Sequence, residues 1–216
     1  MHANRYVGFN PPVPLPFHAT NAAWFLDRTN FSVATPVGPW PVQRLVFNGH
    51  AWDHVLGAQG CVAPDGMFIH FYTGVISGRH NDQHFFDTSG IDNVAGQAMA
   101  PFAQEWGRTF WGYTDKGYTN DVNHRRAYHG LNVTPLQHLA NYLMSFQRVI
   151  VEWGFGKLKN GSRLLQSEDL LKLQATRVTL WVKAATLICN SHTCLYGSDM
   201  GLYYGLAAEP LETYFA

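Results

Sequence analysis

The sequence has little charge and no excess of either sign. Charged residues make up 14% of its 216 residues, and 15 Lys and Arg balance 15 Asp and Glu, so the formal net charge is zero. A protein that binds nucleic acid tightly by itself usually has a basic surface. The composition argues against such binding. It leaves two local basic clusters where phosphates could be met, at His124–Arg126 and at Lys157, Lys159 and Arg163.

Cysteines and long apolar runs are also scarce. The chain has three cysteines, Cys61, Cys189 and Cys194. This number is small and odd, whereas the disulfide framework of a secreted domain needs several pairs. No run approaches the roughly 18 apolar residues of a membrane span, and no targeting segment is recognisable. We therefore expect an intracellular protein that is neither secreted nor membrane-bound.

Length and composition predict one domain preceded by an arm. Residues 1–23 are rich in proline, as in Pro11-Pro12-Val13-Pro14-Leu15-Pro16, which favours an extended and poorly packed segment. The chain of 216 residues is 46% hydrophobic, which is enough for one sizeable core. We assign residues 1–23 to the arm and residues 24–216 to the domain.

Two aspartates follow short runs that are typical of strands. Asp27 closes the apolar residues 22–26, and Asp115 follows the aromatic residues 109–114. An acid at the end of a strand can project into a cleft, and Mg²⁺ prefers carboxylate oxygens. A lone aspartate there is more often a turn or helix cap.

A charged stripe crosses an apolar segment further along the chain. Arg148, Glu152 and Lys159 fall within a narrow arc if residues 147–159 are helical, and most other positions of that segment are apolar. The spacing predicts a glutamate held on a core-facing helix, where a charge needs a partner or a metal. A purely structural Arg-Glu-Lys ladder explains the same spacing equally well.

Taken together, these motifs resemble the catalytic domain of DDE transposases of the PIF/Harbinger and IS5-like group, including the transposon-derived DDE superfamily endonucleases of eukaryotes. The most specific motif is Arg-x3-Glu-x6-Lys, formed by Arg148, Glu152 and Lys159. The other segments that carry the resemblance are Phe25-Leu26-Asp27, residues 43–50 and 62–66, Gly78-Arg79-His80-Asn81-Asp82, Ser89-Gly90-Ile91, Thr114-Asp115-Lys116-Gly117-Tyr118, residues 190–197 and residues 210–215.

The resemblance implies a set of catalytic residues. Asp27, Asp115 and Glu152 match the three acids of the family, which ligate metal, and Asp82 matches a further acid. It also implies two Mg²⁺ or Mn²⁺ ions roughly 3.5–4 Å apart that drive in-line attack on a DNA phosphodiester. Arg148 and Lys159 would orient Glu152 or meet phosphate.

The sequence departs from the family at three positions near these acids. Arg28 stands where glycine is common, Asn81 where histidine is expected before Asp82, and Ser145 where a tyrosine is expected. An arginine beside Asp27 could occupy that carboxylate and exclude a cation. We expect instead that the strand continues past Asp27 and turns Arg28 to the opposite side.

The fold class we predict is α/β in the mixed α+β sense: an RNase H-like, retroviral-integrase-like mixed sheet flanked by helices. We expect a strand that begins at residues 24–27, further strands at residues 44–50 and 109–113, and a hairpin of residues 55–62 and 67–75 around Ala63-Pro64-Asp65-Gly66. Helices are expected at residues 82–88, from Thr134-Pro135 to Glu152, and at roughly residues 167–191.

Histidine and cysteine spacings offer a zinc alternative. His50 and His54, and His80 and His84, have the i, i+4 spacing that binds zinc on a helix, and Cys189, His192 and Cys194 form a looser set. A zinc hydrolase using His80, Asp82 and His84 is therefore a third hypothesis.

Two functional hypotheses come before it. The first is a transposase-derived, divalent-metal-dependent DNA endonuclease. We expect it in the nucleus if the source is eukaryotic, and a homo-oligomer is compatible with this hypothesis. No helix-turn-helix is recognisable, so DNA binding would come through a separate partner or a missing N-terminal region. The alternative is a domesticated or decayed transposase domain that acts as a non-catalytic binding or scaffold protein.

Overall fold

The computed structural model describes residues 22–73, 80–175 and 177–216. Most of the predicted Pro-rich arm therefore lies outside the described residues, as do Gly78 and Arg79 of the family motif and Val75 of the predicted hairpin. The first strand begins at Ala22, two residues before the predicted start of the domain.

The centre of the fold is a mixed sheet of six strands. In chain order the strands are β1 (Ala22–Ser32), β2 (Phe47–Asn48), β3 (Asp53–Val62), β4 (Phe68–Tyr72), β5 (Trp111–Thr114) and β6 (His124–Arg126). Their spatial order is β2-β3-β1-β5-β6, with β4 also paired to β3. The pairs of β3 with β1, β2 and β4 are antiparallel, whereas β5 is parallel to both β1 and β6.

Helices cover both faces of this sheet. They are α1 (Trp40–Val46), α2 (Asp82–Ser89), α3 (Ile91–Trp106), α4 (Pro135–Gly161), α5 (Val178–Tyr196), α6 (Asp199–Tyr204) and α7 (Leu211–Tyr214). The prediction of a mixed α+β domain is confirmed, and the order and direction of the strands are compatible with an RNase H-like fold. None of the described helices is both long and apolar enough to cross a lipid bilayer.

Strand β1 divides the core in two because its side chains alternate between the faces of the sheet. Phe25 and Phe31 pack in the larger cluster with α4 and α5, whereas Trp24 and Leu26 pack in a smaller cluster with α2 and α3. Odd-numbered positions of this part of β1 therefore face α4. This alternation decides where the charged residues that follow Leu26 point.

Helix α4 begins and packs as its sequence predicts. The Thr134 hydroxyl accepts a hydrogen bond from the Gln137 N–H, and the Gln137 side chain accepts one from the Thr134 N–H, which closes a capping box. Pro135 occupies the first helical turn. Gly60 of β3 allows the helix to approach the sheet closely. A Cβ atom at this position would come within 2.7 Å of the Phe155 ring.

Two predicted elements were wrong. In the strand expected at residues 44–50, residues 44–46 belong to α1, which starts at Trp40 after Pro39, and only Phe47–Asn48 form a strand. Pro41 in the first turn of α1 is the overlooked signal. The last long helix starts at Val178 rather than near Ser167, because the acidic start at Ser167 opens only the 3-10 turn Glu168–Leu170. The hairpin and α2 are confirmed, as is the start of α4, which continues nine residues past its predicted end at Glu152.

Candidate active site

Asp27 lies in the middle of β1, not at its end as predicted. The strand continues to Ser32 through antiparallel pairing with β3, in which Asp27 faces Gly60. Parallel pairing with β5, however, stops at Leu26 and Thr114. Asp115 therefore leaves the sheet directly beside Asp27, and both residues have the strand parity that faces α4.

The Asp27 carboxylate is held in an environment that disfavours its charge. Burial raises its pKa from the ordinary 3.8 to about 6, and the nearby negative charges of Asp82 and Asp115 act in the same direction. A hydrogen bond from the Arg28 N–H to Oδ1, at 2.7 Å, and the Arg148 guanidinium offset only part of this effect. At this carboxylate the cost of burial therefore outweighs the hydrogen bond and the Arg148 guanidinium.

Arg148 connects the first and third predicted acids. Its Nη1 donates to Asp27 Oδ2 at 2.5 Å, and its Nη2 contacts Glu152 Oε1 at 2.9 Å. The contact with Asp27 joins α4 to β1 across 121 positions of the sequence. We call Asp27, Asp115, Glu152 and Arg148 the acidic centre.

Glu152 is more exposed than its place on the charged stripe predicted. About 52% of its side chain is accessible, compared with 20% for Asp27. It also lines a groove of about 680 Å³ beside α5 and α6, together with Lys157, His192 and Tyr196. The prediction of a glutamate held within the core was wrong, because spacing defines the face of a helix but not how far the sheet covers it.

The acidic centre has the ligand chemistry of a divalent-cation site but not a preformed ligand set. Within the described residues, no three His, Cys, Asp or Glu side chains lie close enough together to hold a metal ion. A cation bound by Asp27 and Glu152 would take over the lone pairs of Oδ2 and Oε1 that Arg148 contacts. The oxygen donors fit Mg²⁺ or Mn²⁺ in kind, and ion binding requires the Arg148 side chain to shift.

Arg28 turns away from Asp27, as the expected continuation of the strand predicts. Its guanidinium lies over the Phe85 ring at 4.5 Å, donates to the His80 carbonyl at 2.5 Å and lies 3.6 Å from Asp82 Oδ1. The arginine therefore leaves Asp27 accessible and pairs instead with Asp82, the fourth acid that the family resemblance indicated.

Asn81 has a structural reason to stand where the family has histidine. Its side chain caps α2 by accepting a hydrogen bond from the His84 N–H at 2.9 Å. Asparagine is among the best N-cap residues, whereas histidine is not. The departure at this position strengthens the helix that carries Asp82.

Lys159 lies on the predicted face of α4 but does not meet Glu152. Its Nζ donates to Thr29 Oγ1 and to the Asn30 carbonyl, both at 2.9 Å, and lies 5.2 Å from the Phe31 ring centre. Three helical turns separate it from Arg148. Through these hydrogen bonds Lys159 connects the last turns of α4 to β1.

The histidine and cysteine sets do not form zinc sites. His50 lies in the turn before β3 and His54 on that strand, so the helical spacing does not apply to them. The rings of His80 and His84 stack at 3.8 Å, and His192 packs on Tyr196. None of these sets belongs to a metal-ligand cluster among the described residues.

Tyr118 is a residue of the site that the sequence analysis did not single out. It is 1% exposed, and burial together with the charges of Asp82 and Asp27 raises its pKa well above the ordinary 10. Its N–H donates to the Asp115 carbonyl at 3.2 Å, so it closes the turn that carries Asp115. The available signal was the Asp-x-Gly-Tyr spacing itself.

Comparison with known proteins agrees with this geometry. A family model described as DDE superfamily endonuclease matches residues 26–190, well over half of the chain. The chain belongs to the DDE superfamily endonucleases. The matched part contains every candidate acid of the acidic centre, and the match does not distinguish the PIF/Harbinger group from others. Neither a search of curated proteins nor one of solved structures finds a significant match.

Proposed function

We propose that this DDE superfamily endonuclease domain is a transposase-type nuclease of the PIF/Harbinger group that cleaves DNA with the help of divalent cations. The observation that carries the proposal is the placement of Asp27 and Asp115 directly after the last residues paired between β1 and β5, with Arg148 joining Asp27 to Glu152 of α4. Carboxylates grouped in this way, in a family of endonucleases, are the ligands that Mg²⁺ or Mn²⁺ takes.

Each residue of the acidic centre has a distinct role in this proposal. Asp27 and Asp115 follow the last residues paired between β1 and β5, Leu26 and Thr114, and would be the first two cation ligands. Glu152 would supply a further oxygen from α4. Mg²⁺ or Mn²⁺, when bound, would supply Lewis acidity toward the phosphate.

Arg148 positions the carboxylates of the acidic centre through its contacts with Asp27 and Glu152. Because its guanidinium bridges Asp27 and Glu152, it neutralises part of their charge and fixes Glu152 on the β1 side of α4. The same guanidinium would be placed to meet a phosphate oxygen of the substrate. A DNA substrate places this activity in the nucleus if the source is eukaryotic.

Metal-dependent nicking of supercoiled plasmid tests the proposal. Wild-type protein should convert the plasmid to the open circle with Mn²⁺ or Mg²⁺ but not with EDTA, and Asp115→Asn should lose this activity. Asp169→Asn, which changes an exposed aspartate outside the acidic centre, is the matched control. A melting temperature that rises with Mn²⁺ in wild type and Asp169→Asn only would locate the ion.

The non-catalytic alternative makes the opposite prediction. A scaffold domain would show neither nicking nor a Mn²⁺-dependent shift in melting temperature. An equal shift in wild type and Asp115→Asn would place the ion outside the acidic centre and contradict the proposed roles.

A further inference from the structure

A basic and aromatic cavity adjoins the acidic centre. It has a volume of about 460 Å³ and lies between the residues before β5, the edge strand β6 and the first half of α4. Its volume is within the range of about 300–1,000 Å³ of small-ligand sites. Its most informative lining residues are Arg108, Arg125, Arg126, Trp111, Tyr113 and Tyr128.

The charge of this cavity is concentrated and positive. Three arginines line it and no aspartate or glutamate does, although the whole chain has no net charge. Arg126 donates to the Tyr118 carbonyl at 3.1 Å. The side chains of Arg108 and Arg125 are exposed, and neither makes an ion pair or side-chain hydrogen bond within the described part of the chain. An anion is the complementary ligand.

The aromatic lining supplies flat surfaces beside these charges. Tyr128 is 43% exposed, whereas Trp111 and Tyr113 are almost buried and form the wall. The Asn141 amide of α4 anchors the Tyr128 backbone by accepting from its N–H at 2.8 Å and donating to its carbonyl at 2.7 Å. An exposed aromatic ring on a backbone anchored in this way can stack on a nucleobase.

Tyr113 joins the cavity to the acidic centre. It lies on β5 two residues before Asp115 and pairs with Phe25 of β1, two residues before Asp27. Met144, which also lines the cavity, precedes Arg148 by about one helical turn, or roughly 6 Å along α4. The cavity therefore lies beside the parts of β5 and α4 that carry Asp115 and Arg148.

We infer that this cavity binds one nucleotide of single-stranded DNA beside the phosphate presented to the acidic centre. Arg108 and Arg125 contact its phosphates, and Tyr128 stacks on its base. The inference rests on the proposed function, since it names part of the same substrate. Single-stranded DNA is the form that fits, because a stacking platform needs a base whose face is not covered by its neighbours.

Binding of a labelled oligothymidylate, measured by fluorescence anisotropy in EDTA at two salt concentrations, tests the inference without requiring cleavage. The double variant Arg108→Gln/Arg125→Gln should weaken binding roughly tenfold or more and lower the salt slope by about 0.7 per arginine. Tyr128→Leu should weaken it at least about fivefold. Arg163→Gln, at an exposed position of the second basic cluster, should leave binding within about twofold.

An abasic oligonucleotide distinguishes the contribution of the base to binding from that of the phosphates. On this probe the arginine variants should still weaken binding, whereas Tyr128→Leu should bind as wild type does. Equal losses in Arg163→Gln and the double arginine variant, or tighter binding of duplex DNA that is indifferent to Tyr128, would overturn the inference. Melting curves of all variants confirm that each is folded.

The two proposals can fail separately. Oligothymidylate binding that follows this pattern without any metal-dependent nicking would refute the nuclease and retain the cavity. Nicking by a protein whose oligonucleotide binding ignores Arg108, Arg125 and Tyr128 would refute the cavity and retain the nuclease.

Discussion

Two networks of polar side chains lie on opposite faces of β1. They differ in how completely their charges and hydrogen-bonding groups are paired. On the α4 face, the acidic centre combines a carboxylate of raised pKa with a half-exposed glutamate. On the α3 face, Trp24 Nε1 donates to His124 Nε2 at 3.1 Å, and His124 Nδ1 lies 3.1 Å from Asp92 Oδ1. We call these three residues the histidine network.

The geometry of the histidine network fixes its protonation state. The indole N–H can only donate, so His124 Nε2 must accept, and the ring proton is on Nδ1 and points to Asp92. Gly112 of β5 makes this contact possible, since a Cβ atom there would come within 2.0 Å of Trp24 Nε1. Each ring nitrogen has one partner of the right kind, and burial lowers the pKa of His124.

The comparison separates a structural network from a functional one. In the histidine network, donors and acceptors match, so nothing more is needed to stabilise it. In the acidic centre, Asp27 and Glu152 share Arg148, and burial, helped by the nearby charges of Asp82 and Asp115, raises the pKa of Asp27. Unbalanced charge that remains accessible to solvent is typical of sites that bind a ligand.

The largest expected effect comes from Asp27→Asn. We expect nicking to fall roughly a thousandfold or more, because a neutral amide cannot replace a cation ligand. The free energy of unfolding at neutral pH should instead rise, by up to about 3 kcal/mol, because the folded protein prefers the uncharged side chain. Nicking rates and denaturant unfolding measure the two effects.

This gain in stability should depend on pH. It should vanish below the ordinary pKa of 3.8, where Asp27 is protonated in both the folded and the unfolded chain. Asp169→Asn is the control and should change neither quantity. A loss of stability in Asp27→Asn at neutral pH would mean that the ion pair with Arg148 outweighs the cost of burying the charge.

The next largest effect tests the histidine network. His124→Ala should lower the free energy of unfolding by about 3 kcal/mol, because it leaves a cavity and removes the partners of Trp24 and Asp92. The exposed His129→Ala should change it by less than about 0.5 kcal/mol. Nicking per folded molecule should persist in both, and its loss in His124→Ala would contradict the purely structural role.

A smaller effect is the opposite response of the two networks to acid. As the pH falls below 6.5, the unfolded chain protonates His124 before the folded chain does, so stability is lost. Asp27 has the reverse sign: between about pH 6 and its ordinary 3.8 the folded chain takes up the proton first, which adds stability. Stability should therefore decline more steeply with acid in Asp27→Asn than in wild type, and less steeply in His124→Gln.

Unfolding curves at a series of pH values measure these slopes. His70 also has a pKa lowered by burial, so part of the acid decline should remain in His124→Gln. Identical slopes in wild type and Asp27→Asn would show that the Asp27 pKa is not raised.

The sequence predicted best those helices and strands that have turn or capping residues at their ends. The turn at Ala63-Pro64-Asp65-Gly66 and the cap at Thr134-Pro135 were recognisable because turn and capping residues act within a few positions. Helix α3 was not predicted, because Gly96 and Pro101 interrupt its sequence although Ile91, Ala95 and Met99 form one buried stripe. The apolar spacing outweighs both helix breakers once the stripe is packed.

The acidic centre was harder to predict than the residues in it. A resemblance to known endonucleases indicated Asp27, Asp115 and Glu152, and their catalytic role stays a prediction. Sequence could not predict that Arg148 joins Asp27 to Glu152, because that contact depends on how α4 crosses the sheet. The strand alternation that sends Arg28 to Asp82 was predictable, because it depends only on β1 continuing.

The smallest expected effect distinguishes the two ends of the charged stripe on α4. Lys159→Met should lower the free energy of unfolding by about 1 kcal/mol, because it removes the hydrogen bonds to Thr29 and the Asn30 carbonyl while keeping an apolar stem over Phe31. Lys183→Met, on an exposed face of α5, should change it by less than about 0.5 kcal/mol. Nicking should survive in both variants, whereas Arg148→Met should lose it. If Lys159→Met loses nicking while its melting curve stays close to that of wild type, Lys159 meets the substrate phosphate and the stripe acts as one functional unit.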